Sequence, residues 1–474
     1  MTTRTIRSVL ATLVLSLMNC THAAADQASD VSETARLAEI TTSYFKAAAP
    51  PGLTVQVDRG GTTMFRMSLG LADVPDRRAP TPDSVYAIGS ITKSYTALSV
   101  LQLVDSGRIG LDMTVGELLP EYQGPARGVA LRHLLDHTSG IPSYTDIDAL
   151  RPLLERNLWS REELVAQFAP LPLLFEPGTR WSYSNSNYYL LGLVVEHVSG
   201  EDYYSYLKRH VLAPLDLGHT YDGNDAELVG NRVQGYSATR DGLRNASPWY
   251  YLVPYSAGSL LATADDVVRY RRGVFKGKVV PPSLLALVTR TEALADGTQN
   301  LYTLGGLITS DFMGHRKYSH SGEIYGFHSD HAYYPDDDLT IVVMANQKGL
   351  LPSPVSLERQ LARAVLGLDA PPSRPLALSK ESLDRYAGDY EMRPFLLGPP
   401  AVRIEPDGTG LGVRLGGADA PPLPFVAVAE GRFVCALDSE WALEFAPPAP
   451  DGRSPGFKMV VADGTLTAFR STLP

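Results

Sequence analysis

The sequence predicts an α/β (α+β) protein: an antiparallel sheet flanked by the terminal helices of one unit, with a helical lobe inserted between its strands and an all-β domain after it. Three observations predict this. Strand-type alternation occurs at residues 53–68 and returns in force only after residue 300. Between about residues 90 and 300 the apolar positions follow helical spacing with many Gly and Pro breaks. Beyond residue 376 the chain changes to short alternating segments separated by Asp-Gly turns, at Asp407-Gly408, Asp451-Gly452 and Asp463-Gly464.

The elements follow in chain order. Residues 1–25 read as an export signal: Arg4 and Arg7 form a basic start, residues 8–18 an apolar core too short for a bilayer, and Ala23-Ala24-Ala25 a small-residue cleavage site. The expected location is therefore periplasmic or secreted. Cys20 lies inside this segment, so cleavage leaves Cys435 as the sole cysteine and excludes an intramolecular disulfide. A lipid anchor on Cys20 is the alternative, against which Asn19 stands where a lipidation leader carries a small residue. Residues 31–48 place Leu37, Ile40, Tyr44 and Phe45 on one helical face, and Pro50-Pro51-Gly52 ends the run. Leu53, Val55 and Val57, then Met64, Arg66 and Ser68, alternate around Asp58-Arg59-Gly60-Gly61 as a β-hairpin. After the helical region, strands are predicted at 301–308, 317–321, 327–334 and 339–345, with Asp336-Asp337-Asp338 as a turn and a closing helix from Leu357 to Leu368. The division is then a signal at 1–25, a main unit at 26–369, a Pro-rich linker at 370–375 and a β-rich domain at 376–474, either a sandwich or a small barrel.

The 474 residues carry a formal charge of −10, which becomes −12 without Arg4 and Arg7. No long basic run accompanies it, so the footprint that phosphate backbones require is missing and nucleic acid is excluded as a partner. No later segment is long and apolar enough to span a bilayer. Neither a Gly-rich phosphate loop nor a Gly-x-Ser-x-Gly elbow occurs. His133/His137 and the run His328-Ser329-Asp330-His331 lack metal-site spacing and read as structural histidines, so no metal or other cofactor is expected.

Three segments carry chemistry. In residues 84–105 a β-type run ends at Gly89 and a buried helix follows, which sets Ser90 at a helix start and Lys93 on the same face one turn later. A serine needs a base, and a lysine serves as one when burial lowers its pKa. In residues 177–193, Tyr183-Ser184-Asn185 sits in a polar turn before an apolar helix opening near Tyr188. Tyr183 is placed to move a proton toward a leaving group, and Asn185 to hold a substrate carbonyl and orient Lys93. The third is His320-Ser321-Gly322 on a strand, where Gly322 admits close backbone approach and the amide of Glu323, with that of Ser90, would bind an oxyanion.

Ser-x-x-Lys, Tyr-x-Asn and His-Ser-Gly in this order resemble the serine β-lactamase and penicillin-binding-protein superfamily, specifically its class C β-lactamase, D,D-peptidase and esterase branch. Leu134-Leu135-Asp136-His137-Thr138-Ser139-Gly140-Ile141, Ser256-Ala257-Gly258-Ser259 and Ala262-Thr263-Ala264-Asp265-Asp266 also resemble that branch, over roughly residues 35–368. The resemblance implies a β-lactamase/transpeptidase-like fold and acyl transfer through Ser90, with Lys93 and Tyr183 sharing base and acid duties and no cofactor. It implies a peptide or D-amino-acid substrate ahead of β-lactams and simple esters. The alternatives are a class C-like β-lactamase or carboxylesterase and, from another class, a non-catalytic sensor. His320 stands where β-lactamases commonly have a lysine, and a mostly neutral histidine grips anionic β-lactams less. Glu323 adds negative charge that favours cationic or neutral substrates. The C-terminal segment, through Leu383, Tyr386, Gly388 and Tyr390, resembles the lipocalin-like barrel found in some peptidases of the branch.

Overall fold

The computed structural model describes residues 33–154, 159–224, 228–239, 241–247, 250–277, 280–369, 374–393, 401–415, 422–461 and 464–471. The signal-type segment 1–25 with Cys20, and residues 370–373 of the linker, lie outside the described residues.

Helix α1 (33–48) leads into β1 (Gly52–Arg59) and β2 (Thr62–Gly70). Gly60 and Gly61 both have positive φ, +62° and +83°, which a two-residue hairpin turn of matching twist requires. The chain then builds the helical lobe, whose main members are α2 (Thr92–Asp105), α3 (Asn185–Ser199) and α4 (Ala264–Phe275). It returns as β3 (Ile308–Phe312), β4 (His315–Ile324), β5 (Phe327–Tyr334) and β6 (Leu339–Ala345), then closes with α5 (Pro354–Leu366). The sheet order is β2-β1-β6-β5-β4-β3, all antiparallel. Strands from far apart in sequence meet at its centre, where β1 pairs β6 from Leu53↔Ala345 to Arg59↔Leu339.

Both faces of the sheet are covered, which explains the unbroken apolar run of β6. Leu339, Ile341, Val343 and Ala345 pack with Leu53, Val55 and Val57 beneath α1 and α5, while Val342 and Met344 face the lobe. The period-2 alternation sorts one strand between two cores.

Several expectations shift. Residues 301–307 do not form the predicted strand: Gly306, at φ +70°, closes a turn in which its N–H donates to Thr303 O, Tyr302 makes one isolated bridge back to Ile308, and the strand itself starts at Ile308. The apolar alternation there belongs to a buried turn, with Tyr302, Leu304 and Leu307 all inside. The lobe is not purely helical, since Tyr86–Ala87 and Thr220–Tyr221 both pair Leu261–Ala262, and Tyr236–Thr239 pairs Gly242–Asn245. The closing helix begins at Pro354, three residues early, because Ser353 precedes a proline suited to the first helical position. It ends at Leu366, before Gly367 at φ +67°.

The C-terminal strands β7 (Gly388–Arg393), β8 (Ala401–Asp407), β9 (Gly410–Leu415), β10 (Leu423–Ala429), β11 (Arg432–Cys435), β12 (Ala442–Phe445), β13 (Gly456–Val461) and β14 (Gly464–Arg470) close as an antiparallel barrel. Of the two sequence alternatives the barrel is realised. Tyr386, Tyr390, Phe433, Phe445 and Phe457 fill its interior with ring contacts. The barrel docks on α5: Asp438 accepts from Ser353 N–H and the Ser356 hydroxyl, and Glu440 pairs with Arg359 and Arg363.

Candidate active site

Nearly every residue of α2 from Thr92 to Leu103 is buried, so the helix runs through the lobe's centre and draws Lys93 inside with it. Ser90 precedes it in a single 3₁₀ turn, Gly89–Ile91, which presents the hydroxyl at the helix's open end. Lys93 is fully buried, and its Nζ lies 3.0 Å from Ser90 Oγ, 2.8 Å from Asn185 Oδ1 and 2.6 Å from Ala257 O. Burial holds the amine well below the usual lysine range. The three partners also accommodate the neutral form that a base requires. Amide and peptide oxygens only accept, so they take the two N–H groups of an uncharged amine, whose lone pair then faces the one partner able to donate, the Ser90 hydroxyl.

Tyr183 lies over Lys93, with Nζ 4.9 Å from the ring centroid. Its ring is held among His137, Trp181, Tyr302 and His320. The helix expected to open near Tyr188 begins at Asn185 instead, so Asn185 sits on the first turn of α3 rather than in the polar loop. That start is fixed by a neighbouring segment: Asn185 N–H donates to Ser143 Oγ at 3.2 Å and Nδ2 to Thr145 Oγ1 at 3.0 Å. Ser143 thus holds the backbone at the helix start, and Thr145 orients the side-chain amide so that its oxygen meets Lys93. Neither stands in a motif, and only their Ser/Thr character just after Gly140-Ile141-Pro142 could have suggested them.

The inner end of β4 supplies the third wall. β3 pairs β4 only as far as Ser319, so His320–Ile324 pass beside the Ser90 turn instead. The approach is close enough that a Cβ on Gly322 would lie 1.9 Å from Ile88 O, and one on Gly89 2.9 Å from Glu323 N. Gly89 also has φ +52°. Two glycines therefore bring the amides of Ser90 and Glu323 to one place.

His320 lies behind this wall and is buried, unlike the substrate-facing residue the sequence suggested. Its Nδ1–H donates to Ser321 O at 2.6 Å, and its Nε2 accepts from the Tyr302 hydroxyl at 2.9 Å. Burial and then the nearby Lys93 push its pKa down to about 3, so the ring is neutral. Ser321 is half-buried and contributes that backbone acceptor. Glu323 faces the cleft, yet its charge is shared, because Lys348 Nζ lies 3.5 Å from one carboxylate oxygen.

Ser90, Asn185, Ala257 and Glu323 open on a cleft of about 440 Å³. Its walls combine apolar Leu154, Val253 and Ile324 and aromatic Tyr144 and Tyr325 with two carboxylates, Asp146 and Glu323, and one cation, Lys348. Elsewhere His133 Nδ1 bonds Thr138 Oγ1 at 2.7 Å and His331 Nδ1 bonds His320 O at 2.8 Å. Among the described residues no group of three or more His, Cys, Asp or Glu could hold a metal ion, and no helix is long and apolar enough to cross a membrane.

The Beta-lactamase family profile matches residues 37–366, which include this whole cleft. The chain belongs to the beta-lactamase family. Penicillin-binding protein 4* of Bacillus subtilis is 24% identical over 363 residues, 71% of this chain and 78% of that one. Protein flp of Staphylococcus aureus is 26% identical over 312 residues, 62% of this chain and 59% of its own length. Among solved structures, the octameric penicillin-binding protein homologue from Pyrococcus abyssi has a TM-score of 0.64 at 24% identity, covering 91% of this chain and 99% of that one. The D-stereospecific amidohydrolase from Streptomyces sp. has a TM-score of 0.57 at 27% identity, covering 66% and 95%. As a beta-lactamase family member with a serine beside a buried amine, the protein is a serine hydrolase.

Proposed function

We propose that the protein is an exported hydrolase that opens an amide or ester bond through an acyl-Ser90 intermediate, acting on a D-amino-acid peptide or a related substrate. The observation that carries the reading is the buried Lys93 amine 3.0 Å from Ser90 Oγ, with its remaining contacts made to acceptors. In the proposed reaction, neutral Lys93 takes the Ser90 proton as Oγ attacks the carbonyl carbon, and the oxygen left negative is met by the amides of Ser90 and Glu323. Collapse expels the amine or alcohol, which takes its proton by way of Tyr183. Water then attacks the acyl ester, releases the acid and restores the Ser90 hydroxyl.

Charge supports the choice of substrate. Two carboxylates against one lysine make the cleft net negative, which suits a substrate with a free amine better than an anionic β-lactam. A neutral, inward-facing His320 adds no cation to offset this. The likeness to the D-stereospecific amidohydrolase from Streptomyces sp. agrees. Export rests on the signal-type features of residues 1–25.

Mass spectrometry after exposure to a fluorophosphonate tests the chemistry: an adduct on Ser90 is expected, and an unlabelled serine refutes it. A panel of p-nitrophenyl esters, a chromogenic cephalosporin and D-Ala peptides with free or blocked amino termini tests the substrate. Free-amine D-peptides should give the highest kcat/KM. A cephalosporin turned over fastest would make the protein a β-lactamase, and a permanent penicillin adduct without turnover a sensor.

A further inference from the structure

The turn Leu134–Ile141 takes no part in the reaction as derived so far, yet it carries His137 into the centre of the site. His137 touches the main chain on both sides of Tyr183: its carbonyl accepts Ser182 N–H at 3.0 Å and its Nδ1 accepts Ser184 N–H at 3.1 Å. The imidazole lies against the Tyr183 ring, with centroids 4.4 Å apart and planes at 36°. A third bond, from Gly178 N–H to Thr138 O at 2.8 Å, ties the start of the same loop to the same turn.

We propose that His137 is a positioning residue that fixes the Tyr183 phenol against Lys93 and Ser90 by clamping the chain before and after it. The proposal rests on the serine-hydrolase reading of the cleft.

The backbone is bent to make this contact. His137 has φ +62°, a left-handed conformation rare for residues with a side chain, and its neighbours enforce it. Asp136 Oδ1 accepts both Thr138 N–H, at 3.1 Å, and the Thr138 hydroxyl, at 2.6 Å, while Asn300 Nδ2 donates to Asp136 O at 3.0 Å. The ring also departs from what packing alone would select. Nδ1 receives a second donor, Asn187 Nδ2 at 3.3 Å, so the proton sits on Nε2. The imidazole is buried among the rings of Trp181, Tyr183, Tyr188 and Tyr302, and its Nε2 has no hydrogen-bond partner among the described residues. An apolar ring would fill that cage without burying an unpaired N–H, but it would leave Ser184 N–H unmet. Burial and the nearby Lys93 keep the imidazole neutral, as an acceptor at Nδ1 must be.

The test compares His137→Asn, His137→Gln, Tyr183→Phe and the double variant His137→Gln/Tyr183→Phe. Asn places an acceptor near the Nδ1 position and tolerates the left-handed backbone, whereas Gln reaches toward Nε2 and leaves Ser184 unpaired. The readouts are ester kinetics and the rate of fluorophosphonate labelling at Ser90. His137→Gln is expected to lower kcat about 100-fold with KM within about twofold, and His137→Asn to stay within about tenfold of the parent. In the Tyr183→Phe background, His137→Gln should change the labelling rate less than about threefold, because its effect passes through the missing phenol. Equal losses in both His137 variants that multiply with Tyr183→Phe would overturn the proposal in favour of a purely structural role. A loss confined to KM would overturn it in favour of a substrate contact. A labelled parent with multiplicative effects refutes only the clamp, whereas an unlabelled parent refutes the hydrolase reading and the clamp with it.

Discussion

At Lys93, position in sequence and position in space act together on one proton. The i,i+3 spacing from Ser90 puts amine and hydroxyl on one face, but only burial of the whole helix lowers the amine's pKa. As pH falls through that lowered value the amine gains a proton and loses its lone pair. The expected outcome is an acid limb in the kcat/KM profile with an apparent pKa well below that of free lysine, measured with a p-nitrophenyl ester. Lys93→Ala should lower kcat/KM by at least about 10³-fold with KM little changed.

Asp136 offers a second test at this scale. Burial raises its pKa from 3.8 to about 7, so between those values the folded state holds a proton that the unfolded chain has lost. The protein therefore binds more protons folded than unfolded, and stability falls as pH rises across the window, by roughly 1.4 kcal/mol per unit. Asp136→Asn keeps an acceptor for Thr138 without the charge. Denaturant unfolding at pH 5 and pH 8 should show the variant gaining on the parent at the higher pH. The Ser-x-x-Lys, Tyr-x-Asn and His-Ser-Gly segments were legible as motifs, and the structure brings them together, but the inward orientation of His320 was not foreseen. Thr145, Ser143 and Tyr302 were not, since their roles come from hydrogen bonds across 40, 42 and 18 residues of sequence.

Among the elements, the crossing of β4 and the Ser90 turn decides whether the two amides converge. Gly322 permits it, and Gly322→Ala would set a methyl 1.9 Å from Ile88 O. The strand must then retreat. Activity should fall about 10²–10³-fold, as on removing an oxyanion donor, with a stability loss of about 1–3 kcal/mol measurable by thermal unfolding. The sequence pointed to this glycine but misplaced neighbouring boundaries. Residues 301–307 alternate like a strand, yet Gly305-Gly306 turns them back toward Val288 and Lys93. Alternation reports burial as readily as it reports pleating when the segment is short.

Across the whole molecule, ion pairs and hydrogen bonds at α5 join the barrel to the rest of the chain. Glu440, almost fully buried, faces Arg359 and Arg363 of α5, the helix that packs on the sheet whose β4 passes beside Ser90. Glu440→Ala would leave two guanidinium groups facing each other without their carboxylate, at a cost of about 3–5 kcal/mol. Calorimetry should show a lower first transition and a separated barrel transition. Kinetic constants that stay unchanged would show that the barrel does not shape the cleft.

The sequence alone determined the layered fold class, the presence of a β domain and the three motif segments that meet at the cleft, because period, turn residues and motif spacing are local properties of a chain. Tertiary structure alone decided that Lys93 is dry, that His320 faces inward, that Lys348 shares the charge of Glu323, and that His137 grips both sides of Tyr183. Burial and pairing across long sequence separations exist only once the segments have packed, and those two quantities set the charge and aim of every group in the cleft.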